Sequence, residues 1–546
     1  MATLFRGGFF SVEYVTIAIV LLLLTMLTKE LKIPIGGVVL LFGVTLLYYI
    51  SALFGTYNAN LAIPECTKIV ILLLSVIIGV NIEKKIFFRS LISAALVIAS
   101  IGILSLCKII NHIDFVYIYD GTRRLQSTMQ YANSAATVLI AGIFAARLLL
   151  LTGKKQFVLS CIEVVLTTSL LFTYSRIAIA IYILLTLFEL VLLNNGRWIS
   201  ILVKSVAGVA VFCVMLFFIN QRLSFVALIS CIVLTPLLCE FIIKIKPVSL
   251  KINRAVLILS AALSFAALFL FAQYTDMSTL MVRLLYYKDG TNALLRNPLF
   301  GLSPGGWGDY QFEYQTAQYF VKYVHNGILQ TGLDAGIFAM LLFTAALVLP
   351  IIGLIKKWVM QKDANDLYVL LILAFLAAHG FFDFDFSFAN ILIILGICMS
   401  YGYQKYYFIH MRSIRTVVCS LTIVFFLHLN YTEFSLMSMP NRYKDGDLKN
   451  SKYLTEMLSV AESNGDFSLY LHYQNLLFEI APMQQRTYSE AIRLLDKFYS
   501  EGAVEERIYF DEKEHVIARA SAANGKMSNF NKYLDFGREI DIEILR

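Results

Sequence analysis

The chain has 546 residues, of which 59% are apolar, 14% aromatic and only 15% charged, and its formal net charge is +8. Soluble globular domains carry roughly a quarter charged residues, so this composition excludes a soluble enzyme, a disordered chain, a coiled coil and a nucleic-acid-binding protein. Apolar runs of about twenty residues recur from Val12 to Leu436, and runs of that length can cross a hydrocarbon core of ~30 Å. We therefore expect an all-α, polytopic helical membrane bundle.

Apolar runs between charged or turn-forming breaks predict about fourteen membrane spans. The first run is too long for the apolar region of a secretory signal peptide, so we interpret it as a retained, anchor-like helix. The predicted centres lie near Leu21, Leu41, Leu72, Val97, Leu139, Val165, Ile183, Val209, Cys231, Ala262, Phe343, Leu373, Leu395 and Ile423.

Alternate connections between these runs are rich in lysine and arginine, which by the positive-inside rule makes them cytoplasmic. They include Lys29 and Lys32; Lys84, Lys85 and Arg89; Lys154 and Lys155; Arg197; Lys244 and Lys246; Lys356, Lys357 and Lys362; and Arg412 and Arg415. The other connections then face outward, and they contain most of the polar residues that could take part in a reaction. This pattern predicts a multi-pass membrane protein with a cytoplasmic and an outward face.

The C-terminal part differs in composition from the rest. Residues 436–546 contain 14 Lys+Arg and 18 Asp+Glu, a net charge of −4, whereas the preceding chain has +12. We predict a polytopic membrane domain at 1–435, with a catalytic outward loop at 275–333, and an extracytoplasmic, water-soluble α-helical domain at 436–546. Ala518 to Asp535 has the spacing of a TPR-like helical hairpin, although no 34-residue period repeats. A protein partner or scaffold role suits this domain better than catalysis.

The outward loop 275–333 is long, and loops of that length in compact proteins are usually functional. It contains Arg283, a glycine-rich turn from Asn297 to Gly306, and the sequence His325-Asn326-Gly327 before the next apolar run. The glycine run lacks the Gly-Lys-Ser/Thr ending of a phosphate loop, so we reject a nucleotide site. For the glycines themselves, a sharp structural turn is the favoured interpretation.

His325 lies at a polar loop-to-helix junction, where a near-neutral pKa suits removal of a proton from a sugar hydroxyl. The alternative is a helix-start residue that bonds a backbone group. Arg176 opens an apolar helix without an acidic neighbour in sequence, so it should face a cavity or an anion. A helix N-terminus with a bidentate cation suits a diphosphate. The alternative, a snorkelling interfacial arginine, applies also to Arg283 and Arg124.

Asp383 and Asp385 form an Asp-Phe-Asp sequence similar to the metal-binding pair of soluble glycosyltransferases. Residues two apart on a helix point in different directions, so we expect no metal and assign them, with His379, to the polar lining at the outer ends of two helices. Glu163, Lys108 and Lys204 are expected to pair within the bundle. We expect no disulfide framework or zinc site, because the cysteines lie in or beside apolar runs without paired ligand spacing: Cys66, Cys107, Cys161, Cys213, Cys231, Cys239, Cys398 and Cys419.

The motifs follow a recognisable order along the chain. They are Arg124, Tyr131-Ala132-Asn133-Ser134-Ala135-Ala136, Thr173-Tyr174-Ser175-Arg176, Arg283, Asn297-Pro298-Leu299-Phe300-Gly301, His325-Asn326-Gly327-Ile328-Leu329-Gln330 and Gly336. Over Thr122 to Ser400 this order resembles the O-antigen ligase and polymerase family of bacterial membrane glycosyltransferases.

The resemblance implies a class C-like glycosyltransferase fold that moves a glycan from undecaprenyl diphosphate to a glycan, lipid or protein acceptor outside the cytoplasmic membrane, without a nucleotide sugar, metal or other cofactor. It makes His325 the candidate base, and Arg176 and Arg283 the diphosphate ligands. The remaining family positions, Arg124, Asn133 and Asn326, are assigned to the donor or acceptor entrance. The tail and two extra spans depart from the family and leave the acceptor open.

Two other classes of function remain open at this point. A lipid-linked oligosaccharide flippase or other transporter should show two related halves and charges near the midplane of several helices, and the sequence gives neither signal. A structural or sensory membrane protein, whose tail recruits a partner, should keep its role without His325. Within the transferase interpretation, the sequence does not separate a polymerase from a ligase.

Overall fold

The structure is a computed structural model that describes residues 6–9, 11–28, 30–54, 59–110, 112, 115–119, 122–151, 155–193, 198–244, 278–317, 319, 321–409, 412–429, 458, 459, 462, 470, 474, 477, 485–500, 509, 510 and 512–517. The described part is a bundle of α-helices with two short strand pairs. The predicted all-α polytopic membrane fold is confirmed.

Thirteen of the sixteen described helices follow the predicted apolar runs. The sixteen are α1 (Ser11–Leu27), α2 (Ile35–Phe54), α3 (Ala59–Gly79), α4 (Lys84–Leu106), α5 (Ala132–Leu151), α6 (Gln156–Phe172), α7 (Arg176–Leu193), α8 (Trp198–Asn220), α9 (Ser224–Lys244), α10 (Ser278–Arg296), α11 (Trp307–Tyr314), α12 (Gly327–Gln361), α13 (Ala364–Phe382), α14 (Ala389–Gly402), α15 (Arg412–Leu429) and α16 (Gln485–Ser500). Each predicted span centre falls inside one of them except Ala262, which lies outside the described residues.

Eight of the described helices are long and apolar enough to cross a membrane. Four shorter apolar helices, Glu13–Leu27, Gln156–Phe172, Ala389–Gly402 and Arg415–Leu427, pack with them. Helices are the expected solution in lipid, because a helix satisfies its backbone hydrogen bonds within one segment. The predicted outward loop is itself partly helical, since α10 and α11 lie within it.

The strands lie in the connections. β1 (Leu31–Pro34) pairs antiparallel with β4 (Tyr406–Ile409), so the connection after α1 is joined to the connection after α14. β2 (Val116–Tyr119) and β3 (Thr122–Leu125) form a second antiparallel pair, with Tyr117 opposite Arg124. The second pair holds Arg124 against the helices beside it.

Connections predicted to share one membrane face contact each other in the fold. Lys84 lies 2.6 Å from Asp366 at the end of the bundle that carries the lysine-rich connections. At the opposite end, called the outer end below, Arg124 bonds the carbonyl of Thr173 at 3.1 Å. Arg283 there lies 3.1 Å from Asp383. The alternation inferred from charge therefore matches the two ends of the bundle.

The centre of the bundle is α5, whose side chains are buried almost without interruption from Ser134 to Leu148. Small residues permit this close packing, because they let membrane helices approach each other. A Cβ on Gly142 would lie 2.3 Å from Ala95 Cβ of α4. This position of α5 brings its first turn, with Asn133 and Ser134, under the polar connections of the outer end.

Helix α12 is broken at Ala335 and Gly336, where the backbone leaves the helical region. The turn from Asn297 to Gly306 fills the gap: Ile337 N donates to Pro298 O at 2.8 Å, and Leu302 N donates to Leu333 O at 2.5 Å. Gly336 has φ +84°, and a Cβ there would lie 2.1 Å from Leu299 O. The geometry supports the structural interpretation of the glycine-rich turn.

Four charged side chains form a buried cluster across α5 to α8. Arg147 lies 2.7 Å from both Glu163 and Glu189, and Lys204 lies 2.6 Å from Glu163. All four are at most 4% exposed. The pairing expected for Glu163 and Lys204 is present, whereas Lys108 is exposed beyond the end of α4. The expectation that charges near the midplane of several helices are absent is wrong, because Arg147 and Glu189 lie within apolar runs and pair with each other, and Arg147 also pairs with Glu163.

In the tail, the structure describes α16, from Gln485 to Ser500. Its apolar face is buried, with Ala491, Leu495 and Phe498 at most 1% exposed. The predicted TPR-like segment, Ala518 to Asp535, lies outside the described residues. The division at 435/436 stays a prediction.

Candidate functional site

The outer end of the bundle is organised around the carboxylate of Asp383, which follows the last residue of α13 and is fully buried. It accepts hydrogen bonds from Tyr131 Oη at 3.0 Å, Asn133 Nδ2 at 2.5 Å and Arg283 Nη2 at 3.1 Å. Burial is the largest influence and raises the pKa of Asp383, but Arg283, the neighbouring histidines and the hydrogen bond from Phe384 N together outweigh it and leave that pKa below its usual value. Asp383 is therefore ionised and joins α5, α10 and α13.

Arg283 projects from α10 towards this carboxylate. Besides its bond to Asp383, its Nη1 donates to the carbonyl of Phe382 at 2.6 Å. The residue is 9% exposed. A guanidinium has five N–H donors in a planar fork, so these two contacts fix its orientation and leave further donors for an anion.

His325 immediately precedes the capping residue of α12. Its Nδ1 lies 2.9 Å from the carbonyl oxygen of Tyr323. Because a carbonyl only accepts, Nδ1 carries the proton and Nε2 is the basic nitrogen of the neutral ring. Burial lowers the pKa of His325, Asp383 raises it and Arg283 lowers it, with a net decrease. The imidazole is thus neutral at physiological pH, as a general base requires.

Asn326 has a local role in the structure. Its side-chain oxygen accepts hydrogen bonds from Ile328 N at 3.1 Å and Leu329 N at 3.0 Å, and so caps the first turn of α12. The residue is 6% exposed. The structure therefore places Asn326 beneath the site, where it fixes the direction in which the chain leaves His325.

Arg124 and Asn133 connect Asp383 to the corner before α7. Arg124 Nε donates to Thr173 O at 3.1 Å, and its Nη2 lies 3.4 Å from Asn133 Oδ1. Arg176, the first residue of α7, is exposed beside this corner. Burial is the main cause that lowers the pKa of Arg124, and the positive charge of Arg176 lowers it further. Two guanidinium groups therefore lie near each other, an arrangement that an anion would stabilise.

His379 and Asp385 form a second buried polar group, beneath the one around Asp383. His379 Nδ1 is 2.6 Å from Asp385 Oδ2, and Asp385 also accepts from Ser134 Oγ at 2.8 Å and Thr137 Oγ1 at 2.7 Å. Both residues are at most 1% exposed. They therefore join α13 to α5 beneath the outer face, and Asp383 and Asp385 have separate partners because both lie beyond the end of α13, where the backbone at Asp383 is extended. Among the described residues, no group of three or more His, Cys, Asp and Glu side chains converges on a metal position.

Several residues of the site escaped the sequence analysis. Glu65 and Lys68 of α3 are buried next to Tyr323, and Tyr287 Oη donates to the carbonyl of His325 at 2.9 Å. An acid and a base three residues apart in an apolar run are a usable signal, because ionisable residues inside a membrane are usually functional. The tyrosines gave no comparable signal, since aromatic residues are frequent throughout the chain.

The fold and the site define a class: a polytopic helical membrane protein with arginines, an ionised carboxylate and a neutral imidazole gathered at one end. A family model described as O-Antigen ligase matches residues 162–344, a range that includes Arg176, Arg283 and His325. Residues 162–344 are thus similar to O-antigen ligases, and the resemblance inferred from the motif order is confirmed. The match supports a membrane enzyme that transfers glycans, of the ligase or polymerase type. No curated protein matches the chain.

Proposed function

We propose that this protein transfers a glycan from undecaprenyl diphosphate to an acceptor on the outer face of the bacterial cytoplasmic membrane. The observation that carries the proposal is the gathering of Arg283, His325 and the corner of Arg124 and Arg176 at the end of the bundle assigned to the outside by the positive-inside rule. A lipid-linked donor can reach this end from the outer leaflet.

In the proposed reaction the acceptor hydroxyl oxygen attacks the anomeric carbon of the donor sugar. The bond between that carbon and the diphosphate oxygen breaks, and the diphosphate leaves with the bonding electrons. His325 Nε2 takes the hydroxyl proton, a contribution typically of about 10²- to 10⁴-fold. In-line displacement inverts the anomeric centre.

The arginines have the role of stabilising the leaving group. Charge develops on the diphosphate as the bond breaks, and preorganised cations at that place lower the barrier. Asp383 and the Phe382 carbonyl orient Arg283 before substrate arrives. The proposal assigns this charge stabilisation to Arg283 and Arg176, with no metal or cofactor step, and places Arg124 and Asn133 at the entrance.

The C-terminal domain at 436–546 has a separate place in the proposal. Its charge balance of −4 and the amphipathic helix α16 suit an aqueous, extracytoplasmic location. We assign it to contact with a protein partner or with the acceptor.

The transporter alternative gains no support from the buried charges. Arg147, Glu163, Glu189 and Lys204 neutralise one another across four helices and are at most 4% exposed. A closed, paired cluster of this kind stabilises helix packing and offers no path for a substrate.

The decisive experiment is genetic and chemical. Cells carrying His325→Ala or Arg283→Ala should accumulate undecaprenyl diphosphate-linked glycan at unchanged protein levels, because the donor is made but not consumed. Matched controls are His112→Ala and Arg222→Ala, which alter exposed residues in connections predicted to lie on the same face. Normal glycan length and attachment in both site variants would overturn the proposal.

A deletion strain separates the two forms of the reaction. Loss of long glycan chains indicates a polymerase, in which another lipid-linked repeat is the acceptor. Long chains that remain unattached indicate a ligase.

A further inference from the structure

We propose that Glu65 and Lys68 of α3, acting through the side chain of Tyr323, are positioning residues for His325. The inference rests on the proposed function only where it treats His325 as the base. Residues 65 and 68 lie outside the matched range 162–344, so the family domain alone does not contain this support.

The three side chains form a closed hydrogen-bonded unit. Lys68 Nζ donates to both oxygens of Glu65 at 2.7 and 2.8 Å and to Tyr323 Oη at 2.7 Å, and Tyr323 Oη donates to Glu65 at 2.8 Å. Glu65 is 7% exposed, and Lys68 and Tyr323 are each 3% exposed. An ionised pair is costly in a membrane helix and is by default a functional feature. Here the pair holds one phenol in place.

Tyr323 transmits this support to the imidazole by two routes. Its backbone carbonyl accepts from His325 Nδ1 at 2.9 Å, which fixes the ring and leaves Nε2 basic. Its ring stacks on Phe384 with centroids 5.6 Å apart, and Phe384 meets the His325 ring edge-on at 4.9 Å. A movement of Tyr323 would therefore change both the orientation and the surroundings of His325.

The backbone at His325 needs such support. Its φ of +57° lies in the left-handed region, which is unfavourable for a residue with a side chain and persists only when neighbouring contacts hold it. Tyr287 fixes the carbonyl of His325, and Asn326 fixes the following turn. On the preceding side, the contacts of Tyr323 with α3 provide the corresponding anchor.

A small cavity lies between α3 and the start of α12, lined in part by Glu65, Lys68, Tyr323, Asn326 and Gln330. Gln330 Oε1 accepts from Val324 N at 3.0 Å, so the segment before His325 is also bonded to α12. The Glu65–Lys68 pair of α3 thus supports one side of a segment that α12 holds from the other side.

The test measures the protonation of His325 directly on the purified full chain. The probe is diethyl pyrocarbonate, which modifies neutral imidazole, with His325 followed by peptide mass spectrometry from pH 5 to pH 8. The charged or titratable groups that face His325 are Asp383 at the end of α13 and Arg283, Tyr286 and Tyr287 of α10. These groups stay unchanged in the variants, so a shift reports on positioning.

The first variant is Tyr323→Phe, which removes one hydroxyl and leaves the Glu65–Lys68 contact intact. The second is the double variant Glu65→Gln with Lys68→Met, which removes both charges and avoids a buried unpaired one. The matched control removes the pair at the opposite end of the bundle, Lys84→Met with Asp366→Asn. Thermal unfolding is measured for each.

We expect both site variants to fold, to show faster modification of His325, and to have a modification midpoint shifted upward towards the ordinary histidine value as the ring becomes more exposed. Turnover of endogenous lipid-linked glycan in membranes should fall about ten- to hundredfold, mainly in kcat, because misplacement of about 1 Å is sufficient for such a loss. The control should match the unsubstituted protein.

An unchanged midpoint and unchanged modification rate in folded Tyr323→Phe and in the double variant would overturn the inference, even if His325→Ala abolishes turnover. Normal turnover in His325→Ala would instead overturn the proposed function, and the modification data would still report on positioning. The two failures are therefore distinguishable.

Discussion

At the scale of single residues, the environment of His325 decides whether it can act as a base. Its Nδ1 is bonded to the Tyr323 carbonyl, which leaves Nε2 as the proton acceptor. Burial excludes water from the imidazolium and so lowers its pKa, while Asp383 opposes and Arg283 assists this change. A ring with a lowered pKa stays neutral to a lower pH than an ordinary histidine.

This environment sets the pH dependence of the reaction. Activity requires the neutral ring, so kcat/KM should be constant above the pKa and fall as the pH decreases through it. The acid limb of this pH profile should lie below pH 6.5, the ordinary pKa of histidine. It is measured as the undecaprenyl diphosphate formed in membranes between pH 5 and pH 8. A limb above pH 6.5 would contradict the assignment of a buried His325 as the base.

The sequence identified the chemical residue types at this scale but not their contacts. His325 stood out at a polar loop-to-helix junction, Arg176 at the start of an apolar run and Arg283 in the long outward loop. The role of Asp383 as a shared acceptor for Tyr131, Asn133 and Arg283 depends on three elements that meet only in the folded chain.

At the scale of elements, the break in α12 explains the Asn297-Pro298-Leu299-Phe300-Gly301 motif. The break leaves backbone groups of α12 without helical partners, and the turn supplies them, with Ile337 N bonded to Pro298 O. Ser51 of α2 also donates to the carbonyls of Phe300 at 2.6 Å and Asp334 at 2.9 Å. The motif, whose glycines raise the question of a phosphate loop, therefore supplies hydrogen-bond partners to the broken helix.

Gly336→Ala tests this element. At φ +84° an alanine is strained, and its Cβ would lie 2.1 Å from Leu299 O, so we expect a loss of stability of about 1–3 kcal/mol or more. Thermal unfolding in detergent measures it. The matched control is Gly36→Ala, whose added Cβ would meet Tyr403 at an ordinary 3.5 Å. Equal melting temperatures for the two variants would contradict the structural role of the break.

The buried charges across α5 to α8 give a second test at this scale. Arg147→Leu removes the cation that pairs with Glu189 and one of the two cations that pair with Glu163. Removing one partner of a buried ion pair costs about 3–5 kcal/mol, so we expect a much lower melting temperature and reduced protein levels. Arg222→Leu, which alters an exposed arginine, is the control, and equal stability of the two variants would show that the cluster is not structural.

At the scale of the whole molecule, the alternation of charged connections predicts which side of the membrane each end of the bundle faces. Lys322 lies beside the site, and Lys362 lies in the connection between α12 and α13; both are exposed. If the site faces outward, the two lysines are on opposite sides of the membrane.

Cysteine labelling measures this arrangement. Lys322→Cys should react with a membrane-impermeant maleimide in intact spheroplasts, whereas Lys362→Cys should react only after permeabilisation. The unsubstituted protein controls for the eight native cysteines. The opposite labelling pattern would place the site in the cytoplasm and remove the proposed donor from its reach.

The membrane class, most of the helices and the alternation of the connections follow from the amino-acid sequence alone. Apolar length and charge bias carry this information, because a lipid-embedded segment must satisfy its own hydrogen bonds and short cationic connections are retained on the cytoplasmic side. The order of short motifs also determined the family resemblance.

Which polar groups share a site follows from the folded chain and not from local sequence. The carboxylate of Asp383 lies 252 positions after Tyr131 and 100 after Arg283, and the Glu65–Lys68 pair supports a tyrosine more than 250 positions later. Such contacts depend on how helices pack across the bundle, and packing follows from the joint shape of many side chains. No local pattern along the chain encodes that information, which is why the chemistry of individual residues was predictable and their partners were not.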